Sequence, residues 1–153
     1  MKRANLENAD LREADLSFAN LESSNLNNTE MYKANCERVN LNLAKLKNSN
    51  LAHANLYSAE LEDADLSGAR LMWADLRMAK LNDAKLQGAS LAGANLQKAY
   101  LIGANFENAI LTKVDFSGAN LNKANLNGAD IKGAIFTNAI MGGTLSDAAR
   151  PSE

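Results

Sequence analysis

Apolar positions along the chain follow a period of five. From Leu6 to Met141 every fifth residue is apolar without a slip, 28 positions of which 21 are Leu. The exceptions are Met31, Cys36, Phe106, Phe116, Ile131, Phe136 and Met141. A second column lies two residues earlier, from Ala4 to Ala139, and holds Ala in 23 of 28 places. Ser24, Thr29, Val39, Ser49 and Val114 fill the other five. The residue between the columns is Asn or Asp in 17 of 28 repeats, and the remaining two positions are largely polar. Residues 4–143 therefore read as one run of A-(N/D)-L-x-x with no linker or domain boundary inside it.

Neither regular element fits this period. On an α-helix the Leu side chains would advance by about 140° each and cover every side. On a straight strand an odd spacing throws alternate Leu to opposite faces. Both columns stay on one side only if the chain turns a corner within each unit. The corner chemistry agrees, because eight of the nine glycines sit two residues after the apolar column. Asn8, Asn28, Asn48, Asn108 and Asn138 share that slot. Gly and Asn tolerate the positive φ that the third position of a type II turn requires. A chain that turns alike every five residues is a solenoid.

The pattern resembles the pentapeptide repeat family, over residues 4–143. The resemblance implies an all-β fold, a right-handed quadrilateral parallel β-helix with four pentapeptides per coil. It implies about seven coils, a rod roughly 34 Å long at the usual strand spacing, and an interior filled by Leu with no lumen. The expected division is a solenoid over 1–143 and a tail over 144–153, in which Ser146 caps a helical turn through Asp147–Arg150 before Pro151. Solenoid ends expose unpaired strand edges, so a homodimer through one end is expected as an option.

Composition narrows the function. Only 5% of the chain is aromatic, and there is one Trp, one His and one Cys. A single cysteine excludes an intrachain disulfide and a thiolate cluster. A net charge of −2 argues against a nucleic-acid-binding surface. No apolar run approaches the ~20 residues of a membrane helix, and MKRANLEN lacks a secretory signal, so a cytoplasmic location is expected. No enzyme, cofactor or metal site is expected. His53 is the only histidine and sits at a corner, while Cys36 fills a Leu slot as a buried, inert thiol. Glu60, Glu62, Asp63 and Asp65 form a dense acidic cluster without an EF-hand spacing.

A twenty-residue offset turns the outward residues into a surface map. Lys45, Asp65 and Lys85 alternate in sign along one column, and Glu60 sits below Lys80. Asn5/Asn25, Asn20/Asn40, Asn35/Asn55 and Asn105/Asn125 are placed to form amide ladders. Tyr32, Met72 and Trp73 fall beside His53, with Tyr57 on the flanking face, an arrangement typical of interface anchors. Near the C-terminal end, Ile110, Ile135 and Ile140 replace outward Asn/Asp and call for a cover, either the tail or a second copy. The reading that follows is a non-catalytic scaffold that binds another protein and contacts neither nucleic acid nor membrane. Two alternatives accompany it. The resemblance implies a DNA-mimicking modulator of a type II topoisomerase such as gyrase, since some family members present a long acidic face. Here Lys80 and Lys85 stack over the acidic cluster. The other alternative is a rod that assembles with itself end to end.

Overall fold

The computed structural model describes residues 1–146. A two-residue turn and a single bridged residue alternate every five positions throughout. The bridges are parallel and join residues twenty apart. They form four ladders, the first from Asn5 to Leu145, the second from Asp10 to Asp130, the third from Asp15 to Ile135 and the fourth from Asn20 to Ile140. One twenty-residue coil thus stacks on the next along four walls, with a turn between neighbouring walls.

The two apolar columns point inward because the turns allow nothing else. From Leu21 to Leu126 every residue of the Leu column is at most 1% exposed. The Ala column between Ala34 and Ala124 is equally buried. Each buried Leu contributes roughly 1.5–3 kcal/mol relative to exposure. Three hydroxyls replace Ala inside the rod, and each is satisfied. Thr29 Oγ1 donates to the Leu26 carbonyl at 2.7 Å, Ser49 Oγ to the Leu46 carbonyl at 2.7 Å, and Ser24 Oγ to the Met1 carbonyl at 3.2 Å.

Hydrogen bonding explains the Asn/Asp column. In a typical repeat four of five backbone N–H groups bond to backbone: Leu6 to Asn25, Asn8 to Asn27, Ala9 to Leu6, and Glu30 down to Ala9. The N–H just after the apolar residue has no carbonyl in reach. Its acceptor is the side-chain oxygen of the Asn or Asp two residues earlier, as in Glu22 to Asn20 at 3.1 Å and Tyr57 to Asn55 at 3.1 Å. This is the Asx-turn habit of these residues. Where Lys45, Glu60, Tyr100 and Ile140 break the column, an Asn one coil below supplies the oxygen instead. Asn27, Asn42, Asn82 and Asn122 accept from Lys47, Glu62, Ile102 and Gly142.

Two expected amide ladders are present, Asn55 to Asn35 at 3.1 Å and Asn125 to Asn105 at 3.2 Å. The other two are not. Asn25 donates to Glu7 Oε2, and the Asn20 and Asn40 oxygens accept the N–H groups of Glu22 and Asn42. The Asn35, Asn55, Asn105 and Asn125 oxygens accept turn N–H groups as well, so one amide can serve the turn through Oδ1 and the stack through Nδ2.

The third turn position has positive φ at every step from Arg3 to Gly143. Glycines hold 64–71°, and residues as bulky as Phe18, Leu43 and Trp73 hold 57–60°. An L-residue pays about 1–2 kcal/mol for this region, so the tertiary stack overrides local preference at these corners. Pairing also runs past the boundary expected at 143: Thr144 N–H bonds to Met141, and Leu145 bridges to Asn125. The helical turn expected at Asp147–Arg150 lies outside the described residues.

Candidate docking surface

The turn between the second and third ladders carries residues 12–13, 32–33, 52–53, 72–73, 92–93, 112–113 and 132–133, stacked coil upon coil. Tyr32 and His53 meet edge to face with ring centroids 5.6 Å apart. Lys33 Nζ lies 5.3 Å from the Tyr32 centroid, a cation–π contact. His53 donates its N–H to the Met72 carbonyl, and Trp73 donates to Ala92, so consecutive turns are rigidly spaced. The Trp73 indole lies over Gly93, where a Cβ would come within 2.5 Å of the ring. Gly93 therefore seats the indole, which is still 60% exposed. A shallow open depression lined by Asp10, Arg12, Glu13 and Tyr32 adjoins the lower end.

Tyr57 takes a different place. It sits on the turn between the third and fourth ladders, its hydroxyl 3.3 Å from Met78 Sδ and its ring 5.5 Å from the Arg77 guanidinium carbon. On the same turn Arg38 lies over exposed Phe18 at 5.7 Å. The third wall is thus flanked by aromatic side chains on both sides. Phe18 and Met78 were not singled out in the sequence, although the twenty-residue offset places Met78 one coil above Tyr57 and Phe18 two coils below it on the same turn.

Electrostatics differ between the turns. From Tyr32 to Gly133 the turn between the second and third ladders carries no acid, only neutral residues, Lys33, Lys113 and Lys132. Acids on the adjoining walls are largely engaged. Glu30 pairs with Arg70 at 3.2 Å and Asp75 with Arg77 at 2.7 Å. Partial burial pushes the Asp75 carboxyl up, and the Arg77 hydrogen bonds outweigh it, leaving the group below its ordinary value. Arg12 holds Asp10 down at about 2.

The backbone adds donors. The second ladder has Glu30, Arg70, Ser90 and Ile110 where Asn or Asp would cap the next turn. Among the described residues the N–H groups of Tyr32, Met72, Ala92 and Thr112 accordingly have no protein acceptor. By contrast Asn50 caps Ala52 at 3.2 Å.

The remaining sequence candidates fall elsewhere. Ile110, Ile135 and Ile140 lie on three different ladders and form no single patch. Ile135 and Ile140 share the last coil with Leu145, and all three are about half exposed. Cys36 is fully buried, and burial pushes its thiol up to about 12. In the acidic stretch Lys80 pairs with Glu60 at 3.2 Å as expected, but the cation on Asp65 is Lys47 at 3.4 Å rather than a lysine of its own column. Among the described residues no group of three His, Cys, Asp or Glu is arranged to hold a metal, and no helix is long and apolar enough to cross a membrane.

The sequence matches the family model for pentapeptide repeats in eight copies over residues 1–28 and 99–138. It matches the model for the pentapeptide repeat region over residues 19–96. The chain belongs to the pentapeptide repeat family. This pentapeptide repeat protein is 33% identical to HetL of Nostoc sp. strain PCC 7120, a pentapeptide repeat protein involved in regulating heterocyst differentiation. That match covers 89% of this chain and 73% of HetL, with a TM-score of 0.37. A trypsin-treated form of QnrB1, a plasmid-mediated fluoroquinolone resistance protein, aligns over 96% of this chain and 83% of its own at 17% identity and a TM-score of 0.56. That likeness shows a shared fold alone. Rfr23 of the cyanobacterium Cyanothece 51142 is 25% identical over 92% of this chain and 89% of its own, with a TM-score of 0.45. No curated protein sequence matches the chain.

Proposed function

We propose that this pentapeptide repeat scaffold is a non-catalytic protein-binding rod. In this reading it is a right-handed quadrilateral helix of about seven coils whose turn between the second and third ladders docks a partner protein. The observation that carries the reading is the juxtaposition of Tyr32, His53, Met72 and Trp73 on one rigid turn, outside an interior filled by side chains. Exposed aromatics and Met on a preorganised backbone are what interface anchors require. The decisive experiment uses the double variant Met72→Ser/Trp73→Ser. Its melting curve should match the wild type, because both side chains face outward, and the partner that co-purifies with the wild type from the native host should be lost. A partner retained by the folded variant refutes the reading.

The acidic stretch at Glu60–Asp65 gives little support to a topoisomerase-directed DNA mimic, because lysines neutralise Glu60 and Asp65. A second copy would meet this chain most readily at the last coil, where Ile135, Ile140 and Leu145 surround the end.

A further inference from the structure

We propose that the partner segment recognised at this turn is an extended acidic peptide with one apolar residue at its centre. The proposal rests on the docking reading above and names its chemistry. Three features of the same turn converge on it. Trp73 lies midway between Lys33 and Lys113, two coils from each, a distance of about 9.6 Å on either side at the usual strand spacing. Neither lysine is in an ion pair among the described residues. Most counterparts on other turns meet outward Asx oxygens, although among the described residues Asn82, Gln87 and Thr137 are uncapped as well, and the uncapped N–H groups of Tyr32, Met72, Ala92 and Thr112 belong to this strip. They therefore point outward and require acceptors.

In an extended chain alternate side chains share a face, so residues two before and two after an apolar residue lie about 6.6 Å along the strip on its side, and the lysine and carboxylate side chains reach over the remaining distance of about 3 Å. The peptide that fits carries Asp or Glu two residues before and two residues after an apolar side chain. The apolar residue packs on the Trp73 indole and Met72. The two carboxylates meet Lys33 and Lys113, and acceptors between them take the uncapped N–H groups. A phosphate polymer fits less well, because between Lys33 and Lys113 the strip carries no lysine or arginine to meet a continuous run of negative charge. The charge complementarity sets partner choice more than affinity.

Trp73 is the only tryptophan, so intrinsic fluorescence reports directly on this surface. The probes are the heptapeptide Ser-Glu-Thr-Leu-Thr-Glu-Ser, its counterparts with Gln or Lys at both acidic positions, and a short oligothymidylate, each titrated into the full chain. The acidic peptide should shift Trp73 emission, bind about tenfold more tightly than the Lys version, and weaken as salt rises. The variant Lys33→Glu/Lys113→Glu, checked for an unchanged melting curve, should reverse the preference. Equal binding of the three peptides, tighter binding of the oligonucleotide, an unchanged preference in the variant, or no emission change with any probe overturns the proposal. Should the peptides fail while Met72→Ser/Trp73→Ser still loses the native partner, only the acidic-segment proposal falls. Retention of that partner removes the docking reading itself.

Discussion

The middle of the rod and its last coil are built from the same pentapeptide yet live in different environments. Between Leu21 and Leu126 a coil lies above and below each inward side chain, and burial is complete. In the last coil Ala129, Ile131, Ala134, Phe136, Ala139 and Met141 are only half-buried, although they occupy the same slots. Outward, Ile135, Ile140 and Leu145 stand exposed on three consecutive walls where the middle coils carry mostly polar residues. A pentapeptide therefore owns no core of its own, and its burial is conferred by neighbours, as one-dimensional stacking requires. Larger inward groups lead into the last coil. Phe116 stacks on Phe136 with centroids 5.1 Å apart, and Phe106 meets Phe116 edge to face at 6.0 Å.

The largest expected effect contrasts one substitution in both regions. Leu71→Asp places a carboxylate where nothing polar can meet it, and should destabilise by about 4 kcal/mol or more. Met141→Asp puts the same group at a half-open end, where water reaches it, and should cost roughly 1–2 kcal/mol. Urea denaturation followed by circular dichroism measures both. Equal losses would mean that the last coil is as enclosed as the middle, which would point to a cover over it.

Thiol chemistry sharpens the contrast by another route. Cys36 in the middle should resist alkylation, whereas a thiol placed at the end by Met141→Cys in a Cys36→Ala background should react about a hundredfold faster. Burial raises the Cys36 thiol from 9.0 to about 12. The folded protein thus keeps the proton while the unfolded chain releases it, so the stabilising difference is intact below pH 9 and is lost as pH rises toward 12. Wild type should lose more stability than Cys36→Ala across that window. Parallel curves would show that the thiol is not enclosed.

Much of this architecture was legible in the sequence because two apolar columns at period five leave a chain that turns every five residues as the simplest solution. The twenty-residue offset then brought Tyr32 and His53 into contact and set Met72 and Trp73 beside them. The role of the Asn/Asp column was harder to read. Stacked amides and Asx turns call for the same residues, and only the geometry shows that Asn20 and Asn40 serve the turns. The uncapped donors follow where Glu30, Arg70, Ser90 and Ile110 replace Asn/Asp and no Asn stands one coil below the next residue, since Arg12, Ala52, Met72 and Ala92 occupy those places. Bulky residues at positive φ were hidden, since local preference would never place Trp73 or Phe18 there. The lysine on Asp65 was hidden too: Lys47 reaches across from the adjoining turn, which a column map omits.

The smallest expected effect asks whether corner strain differs between the regions as burial does. Gly88 belongs to the middle and Gly133 to the last coil, with φ of 64° and 71°. A Cβ on Gly88 would meet nothing within 4 Å, and one on Gly133 would come nearest the flexible Lys113 Cγ at 3.4 Å, with the Lys113 backbone N and Cα at ordinary contact distances of 3.9 and 4.0 Å. Neither position confounds backbone strain with a rigid clash. Replacing either glycine by Ala should therefore cost about 1 kcal/mol, set by the left-handed conformation alone. Strain at a turn is fixed by the turn's own dihedral angles, whereas burial is fixed by the coils on either side. Thermal midpoints of Gly88→Ala and Gly133→Ala should consequently fall together. A clearly milder loss for Gly133→Ala would show that the last coil relaxes its corners, and that stacking holds the turns as well as the core.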